Sequence, residues 1–274
     1  DKLVLAIGHS ARDTYEMLYQ KGIKMEQKSF AVGLRIEHLQ SFINEHQYGK
    51  YANHPSLKAA DYKLAVKTSN GRGVYTFCMC PGGKVINSSS EAGGIVVNGM
   101  SNQARDEANA NSAVLVTVGP EDFASSHPLA GITYQRELEQ KAFELGGKDY
   151  SVPVMRVEDY LNDTLDLKME EVSCSVQPNV RYAKLSQIFS NEVNLALKEG
   201  LQLMNHKFTG FTEKAMLSGV ESRSSAPVRL YRDENFQSNI KGIMPIGEGA
   251  GYAGGIMSSA IDGLKCSEFI LKGE

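Results

Sequence analysis

Residues 242–263 read GIMPIGEGAGYAGGIMSSAIDG, with seven glycines set between an apolar run and an apolar-periodic segment. Glycine weakens helix and strand interiors alike. Such density therefore marks a turn where the backbone must approach something closely. The stretch reads as strand, glycine turn and helix start. Gly249, Gly251 and Gly254 formally match G-x-G-x-x-G. In that motif glycines admit a pyrophosphate, and the helix N-terminus offers unpaired N–H groups and a positive dipole. A dinucleotide fingerprint also needs a second strand after the helix and an acidic residue about 20 residues on. Here the helix is the last predicted element. The turn is thus expected to close a cofactor domain, with the helix N-terminus facing an electron-poor or anionic group. Close helix–strand packing without a ligand explains the same glycines.

The opening residues, DKLVLAIGHSARDTYEMLYQKG, have the same texture. Leu3 to Ile7 form an unbroken apolar run that predicts a buried parallel strand. Gly8 ends it, and Ser10 to Asp13 can cap a helix whose apolar stripe includes Tyr15, Met17 and Leu18. A core strand this close to a start without Met is expected of a fragment or of a processed chain. Between the two ends, residues 28–38 alternate as a strand, with Arg35 and Glu37 on its polar face. Residues 39–49 read as a short helix closed by Gly49. Asn70-Gly71 predicts a hairpin, and Pro81-Gly82-Gly83 and Ala92-Gly93-Gly94 predict further turns. Residues 112–120 read as a core strand, and 129–147 and 185–204 as helices. Residues 151–184 give no clear pattern. Two α/β ends around a different middle describe two pieces of one doubly wound sheet with a domain threaded between them. The expected fold is α/β with an inserted α+β domain: 1–27 and 226–274 belong to the cofactor domain, 28–225 to the insert.

The 274 residues are 42% hydrophobic with a formal net charge of −3. No Lys/Arg run is present, which speaks against nucleic acid. No apolar stretch approaches the ~20 residues of a membrane span, and no signal peptide is seen. Cys78, Cys80, Cys174 and Cys266 lack disulfide-framework or zinc spacing. A reducing, cytoplasmic setting without a metal site is expected.

LVLAIGHSAR near the start resembles the strand-and-glycine motif in the middle of two-dinucleotide-fold flavoproteins. IKGIMPIGEGAGYAGGIMSSAIDGLKCSEFI resembles their C-terminal FAD motif. With FAVGLRIEH, YTFCMCPGG and NGMS, nearly the whole chain resembles the FAD-dependent dehydrogenases of bacteria. The resemblance implies FAD, an oxidoreductase, and NAD(P)H as a candidate electron donor; it implies no substrate. It also implies an upstream G-x-G-x-x-G unit, so that this portion alone is expected to bind FAD weakly and to be inactive. By position, Gly8 and His9 would lie beside FAD. Gly247, Glu248 and Gly249 would meet the ribityl chain. Gly251, Tyr252, Ala253 and Gly254 would form the helix start under the flavin. The alternative is a non-catalytic module that binds a nucleotide or anion at the glycine turn.

Substrate candidates fall elsewhere. Arg35 could clamp a carboxylate in bidentate fashion or form a surface salt bridge. His38 ends the same strand. Cys78 and Cys80 could be redox thiols or small buried hydrophobes. Gly82 suits close ring approach. Glu91 follows a serine-rich turn, and Asn98 to Ser101 could cap a helix starting near Asn102. Arg223 lies in a loop before the C-terminal motif. His46, His54, His127 and His206 have no partner pattern.

Overall fold

A computed structural model of the chain describes residues 1–166, 174–177 and 179–272. In chain order the strands are β1 (Leu3–Leu5), β2 (Met25–Gln27), β3 (Phe30–Leu39), β4 (Ala65–Lys67), β5 (Gly73–Cys80), β6 (Gly83–Asn87), β7 (Val97–Ser101), β8 (Asn109–Val118), β9 (Val152–Arg156), β10 (Val180–Tyr182), β11 (Met216–Glu221), β12 (Val228–Leu230) and β13 (Ile243–Pro245). The α-helices are α1 (Arg12–Gln20), α2 (Gln40–Tyr48), α3 (Ala130–Leu145), α4 (Val157–Asn162), α5 (Asn191–Lys207) and α6 (Ile256–Lys272). The chain separates into two compact units. The first comprises residues 1–31, 118–136 and 223–274; the second comprises 32–117 and 137–222. Residues 118–136, placed by sequence within the insert, thus group with the chain ends.

In the first unit β1 lies parallel to β13, with Leu3 opposite Ile243 and Leu5 opposite Pro245. β2 and β12 pair antiparallel. Tyr15 and Leu18 of α1 pack with Ile23, Ile132, Val228, Leu230 and Ala250. Ile132 supplies the first turn of α3 to this core, which explains why its segment belongs here. A second small core joins Met244 and Ile246 to Cys266 of α6. Two expectations change. β1 is not buried: Leu3 and Val4 are 55% and 41% exposed, and among the described residues β1 pairs with β13 alone. Helix α1 has Ala11 at its N-cap without a side-chain cap, Asp13 instead accepts from the Thr14 N–H, and Met17 faces solvent.

The second unit holds a seven-stranded mixed sheet in the order β10-β9-β11-β3-β8-β5-β4. Its pairings are antiparallel at β9–β11, β11–β3, β8–β5 and β5–β4, and parallel at β10–β9. The Asn70-Gly71 turn joins β4 to β5, with Gly71 at φ +85°. β6 and β7 form a separate hairpin. Residues 98–101 are therefore strand, not a helix cap: their backbone pairs with β6, and a turn follows at Asn102. β3 is buried along nearly its whole length on both faces, Arg35 and Glu37 included. Helix α5 starts later than expected because Ser190 caps it, accepting from the Val193 N–H. β9, α4 and β10 lie in the described part of 151–184, a stretch without a clear sequence pattern whose residues 167–173 and 178 lie outside the described residues; Pro153 inside β9 hides the strand pattern. Among the described residues no helix is long and apolar enough to cross a membrane.

Candidate functional site

In the first unit, glycine turns from the two ends of the chain meet. The Ile246 N–H donates to Leu5 O (3.0 Å), extending the β1–β13 pairing. Just beyond, Gly249 sits on Gly8: a Cβ on Gly249 would stand 2.4 Å from Gly8 O. The Tyr15 hydroxyl donates to Gly249 O (2.6 Å) and lies 3.1 Å from Gly8 O. Burial, and then the charge of Glu248, push its phenol up, so it stays a donor.

The C-terminal turn is held from below by α6. Asp262 accepts from the Gly247 N–H (2.7 Å) and takes both ends of the Arg232 fork (2.8 and 2.7 Å). Burial pushes the Asp262 carboxyl up, but the bonds from Arg232 and Gly247 outweigh it and hold it low. The Arg232 guanidinium lies 3.7 Å from the Tyr252 ring centroid, and the Tyr252 hydroxyl donates to Leu230 O. A Cβ on Gly251 would meet Val228 O at 2.8 Å, and Ala253 is buried. Gly249, Gly251, Tyr252 and Ala253 are therefore occupied by packing. Gly8 and Gly254, with the neighbouring Gly255, face open space, and α6 starts at Ile256.

Glu248 is half-buried between Gly247 and Gly249, and its carboxylate makes no hydrogen bond or ion pair among the described residues. Its charge acts on three neighbours, His9, Tyr15 and Lys28. Burial lowers the His9 pKa; Glu248 opposes this, while Arg223 and Arg12 add to it. Burial also lowers the Lys28 pKa, helped by Arg229 and opposed by Glu248. Arg12, Lys28 and Arg229 were not singled out by sequence. They come from separate segments, so no local pattern marks them. Arg12 is 2% exposed and donates to Gln135 Oε1.

In the second unit Arg35 is wholly buried and its donors are taken. Nε donates to Asn111 Oδ1 (2.7 Å), Nη1 to both oxygens of Glu221 (3.1 and 2.9 Å), and Nη2 to Cys78 O (2.6 Å) and Cys80 Sγ (3.4 Å). Nothing is left for a substrate carboxylate. Burial pushes the Glu221 carboxyl up against the pull of Arg35. Gly99 has no Cβ because one would stand 1.9 Å from Arg35 Nη2. Glu37, equally buried, accepts from Asn109 Nδ2 (3.0 Å) and the Ser175 N–H (3.1 Å). His38 is a core side chain: its ring lies among Phe42, Tyr62 and Phe211, and Nε2 donates to Phe211 O (2.7 Å). Gly82 is packed rather than open, since its Cβ would meet Arg105 O at 1.9 Å. Glu91 lies in the turn between β6 and β7, where its carbonyl accepts from the Gly94 N–H. Arg35, Cys78 and Cys80 come together; Arg223 belongs to the first unit. All four cysteines are free thiols. Among the described residues no group of three or more His, Cys, Asp or Glu could hold a metal ion.

Burial holds His38 neutral, at a pKa of about 4 against 6.5, with the bond to Phe211 opposing. Between those pH values the unfolded chain takes up a proton that the folded chain refuses. Stability is then full above pH 6.5 and falls as the pH drops toward 4, by about 3 kcal/mol. Urea unfolding at pH 4.5 and 7 measures this. In His38→Gln that part of the pH slope disappears; an unchanged slope would contradict the assignment.

The structure thus defines a mixed α/β protein whose two ends build one glycine-turn site. The model of the family described as "FAD-dependent protein, C-terminal domain-like" matches residues 29–224. The chain belongs to this FAD-dependent family. It is also 50% identical over 275 residues to an uncharacterized protein of Clostridium beijerinckii (strain ATCC 51743 / NCIMB 8052), an alignment covering 99% of this chain and 52% of the relative. The chain spans about half the length of the curated relative it matches.

Proposed function

We propose that the chain carries the substrate domain and the closing FAD-contact elements of an FAD-dependent oxidoreductase. In this reading residues 28–225, except for 118–136, which group with the chain ends, form the substrate domain, set between pieces of the cofactor domain at 1–27 and 226–274. The parallel pairing of β1 with β13 and the family match over 29–224 support it. The observation that carries the FAD assignment is Glu248, a half-buried carboxylate with no hydrogen bond or ion pair among the described residues, next to Gly249, which packs on Gly8, and in the same glycine turn as the open Gly254. Partial burial of a charge without a partner is costly, and a hydroxyl-bearing ligand supplies the missing donors.

FAD, when bound, supplies the hydride and electron transfer; the protein supplies position and electrostatics. Glu248 accepts hydrogen bonds from the ribityl hydroxyls. Gly8 and Gly254 admit the ligand against bare backbone. Arg12, Arg223, Lys28 and Arg229 set a positive potential that favours an anionic ligand. The N-terminal end of α6 favours negative charge close by. Gly247, Gly249, Gly251, Tyr252 and Ala253 hold the turn in shape, and neutral His9 lies beside it. NAD(P)H is the proposed electron donor. Four free thiols fit a reducing cytoplasm.

Purified at its full natural length without added cofactor, the protein is expected to show flavin absorption bands and to release FAD on denaturation. Glu248→Ala is expected to weaken FAD binding about 10–100-fold, the worth of hydrogen bonds to a charged group. A colourless protein that fails to take up FAD overturns the assignment. Binding of a nucleotide without flavin would favour a non-catalytic module.

A further inference from the structure

We propose that Cys78 and Cys80 form a thiol–disulfide exchange pair, in which exposed Cys78 attacks a small-molecule disulfide and buried Cys80 resolves the product. The proposal does not depend on FAD binding. Residues two apart on a regular strand cannot form a disulfide, because their Cβ atoms are separated by roughly 7 Å where the bond needs about 3.8 Å. β5 is not regular here. Its pairing with β8 passes from Phe77 opposite Ala113 to Cys80 opposite Asn111, so two residues face one. Cys78 sits in this bulge at φ +46°, a conformation unusual for a side chain other than glycine or asparagine. The bulge turns Cys78 out to solvent while Cys80 stays inside. It also brings Cys80 Sγ to 3.4 Å from Cys78 O.

The buried Arg35 guanidinium sits under both residues, reaching Cys78 O and Cys80 Sγ through one nitrogen. Hydrogen bonding with the Cys80 thiol lowers the Cys78 pKa to about 6; burial opposes this and Arg35 reinforces it. Cys80 is pushed the other way, first by that same hydrogen bond and then by burial. One thiol is therefore the nucleophile and the other keeps its proton, the division of labour that exchange requires. Cys174 is held up by burial and then by the adjacent Glu37 charge, and Cys266 is buried. Neither shares this environment.

The Cys78 thiolate attacks one sulfur of the small disulfide. A mixed disulfide forms on Cys78 as the original S–S bond breaks, and one thiolate leaves. The Cys80 thiol passes its proton to that thiolate and attacks the Cys78 sulfur. The Cys78–Cys80 bond forms, the second thiolate leaves and takes a proton from water. The protein pair is oxidised by two electrons and the small disulfide is reduced to two thiols. Such a tight ring is strained, so excess small thiol returns it readily to the dithiol.

Oxidised glutathione is the probe. Incubated with it, the full-length protein is expected to lose two hydrogens in the peptide holding Cys78 and Cys80, and reduced glutathione is expected to restore them. Cys80→Ser is expected to stop at a glutathione adduct on Cys78. Before oxidation, iodoacetamide is expected to label Cys78 at least tenfold faster than Cys174 or Cys266. A wild-type protein that forms no internal disulfide overturns the proposal, whatever the variant does. So does a Cys80→Ser protein that folds and takes up no glutathione at Cys78.

Discussion

Arg35→Ala is expected to destabilise the second unit by about 3–5 kcal/mol, the cost of leaving one member of a buried ion pair alone. The guanidinium satisfies Glu221, Asn111 and the Cys78 carbonyl at once, inside the sheet and under the β6–β7 hairpin. Its loss strands a carboxylate that is itself only 5% exposed. Arg35→Lys keeps the charge and loses the fork, so it is expected to recover only part of the stability. Urea unfolding gives the numbers. A double variant, Arg35→Met with Glu221→Leu, is expected to be more stable than Arg35→Ala, because no charge is left unpaired. By contrast, removing the partly exposed Lys84–Glu107 pair at 2.8 Å is expected to cost less than about 1 kcal/mol. If Arg35→Ala costs no more than that, the cluster is not the closed unit its distances describe.

Gly249→Ala is expected to separate the two glycine turns. Its Cβ would stand 2.4 Å from Gly8 O and 2.7 Å from Gly8 N. Both are backbone atoms that cannot swing aside, so strand positions must shift. The expected loss is about 1–3 kcal/mol in the first unit, with FAD retention falling at least tenfold. Gly254→Ala is the contrast, since its Cβ would meet nothing within 4 Å. It is expected to change stability by less than about 0.5 kcal/mol while still lowering FAD retention, because the methyl fills space assigned to the ligand. Thermal unfolding and released FAD, measured on both variants, separate the two effects. Equal FAD content in Gly254→Ala and wild type would remove Gly254 from the ligand site.

Much of the fold was readable where the signal is local. Asn70-Gly71 marks a hairpin, Gly49 closes α2, and the apolar alternation of residues 30–36 fixes β3. The polar half of β3 reads as a solvent face because its cover comes from afar: the β6–β7 hairpin brings Gly99 onto Arg35, and Ser175 reaches Glu37. The same limit governs the site. Glycines at 247–254 announce a turn, but only the structure separates Gly249 and Gly251, filled by neighbouring backbone, from Gly8 and Gly254, left open. His38 reads as a polar residue at a strand end, whereas it continues the apolar face of β3 into an aromatic cluster. Lys28 feels both Glu248 and Arg229, and His9 feels both Glu248 and Arg12, yet these residues come from separate segments that no spacing rule joins.

The pairing of Leu3 with Ile243 has a kinetic side. Those residues are some 240 positions apart, so the contact is about as non-local as this chain permits. Closing so long a loop must be compensated before the contact returns anything, and contacts of this kind form late. Folding of the intervening residues shortens the effective loop and lets the ends meet. The glycine-turn site then forms after the segments between its two halves, and ligand capture there reports that the two halves have met.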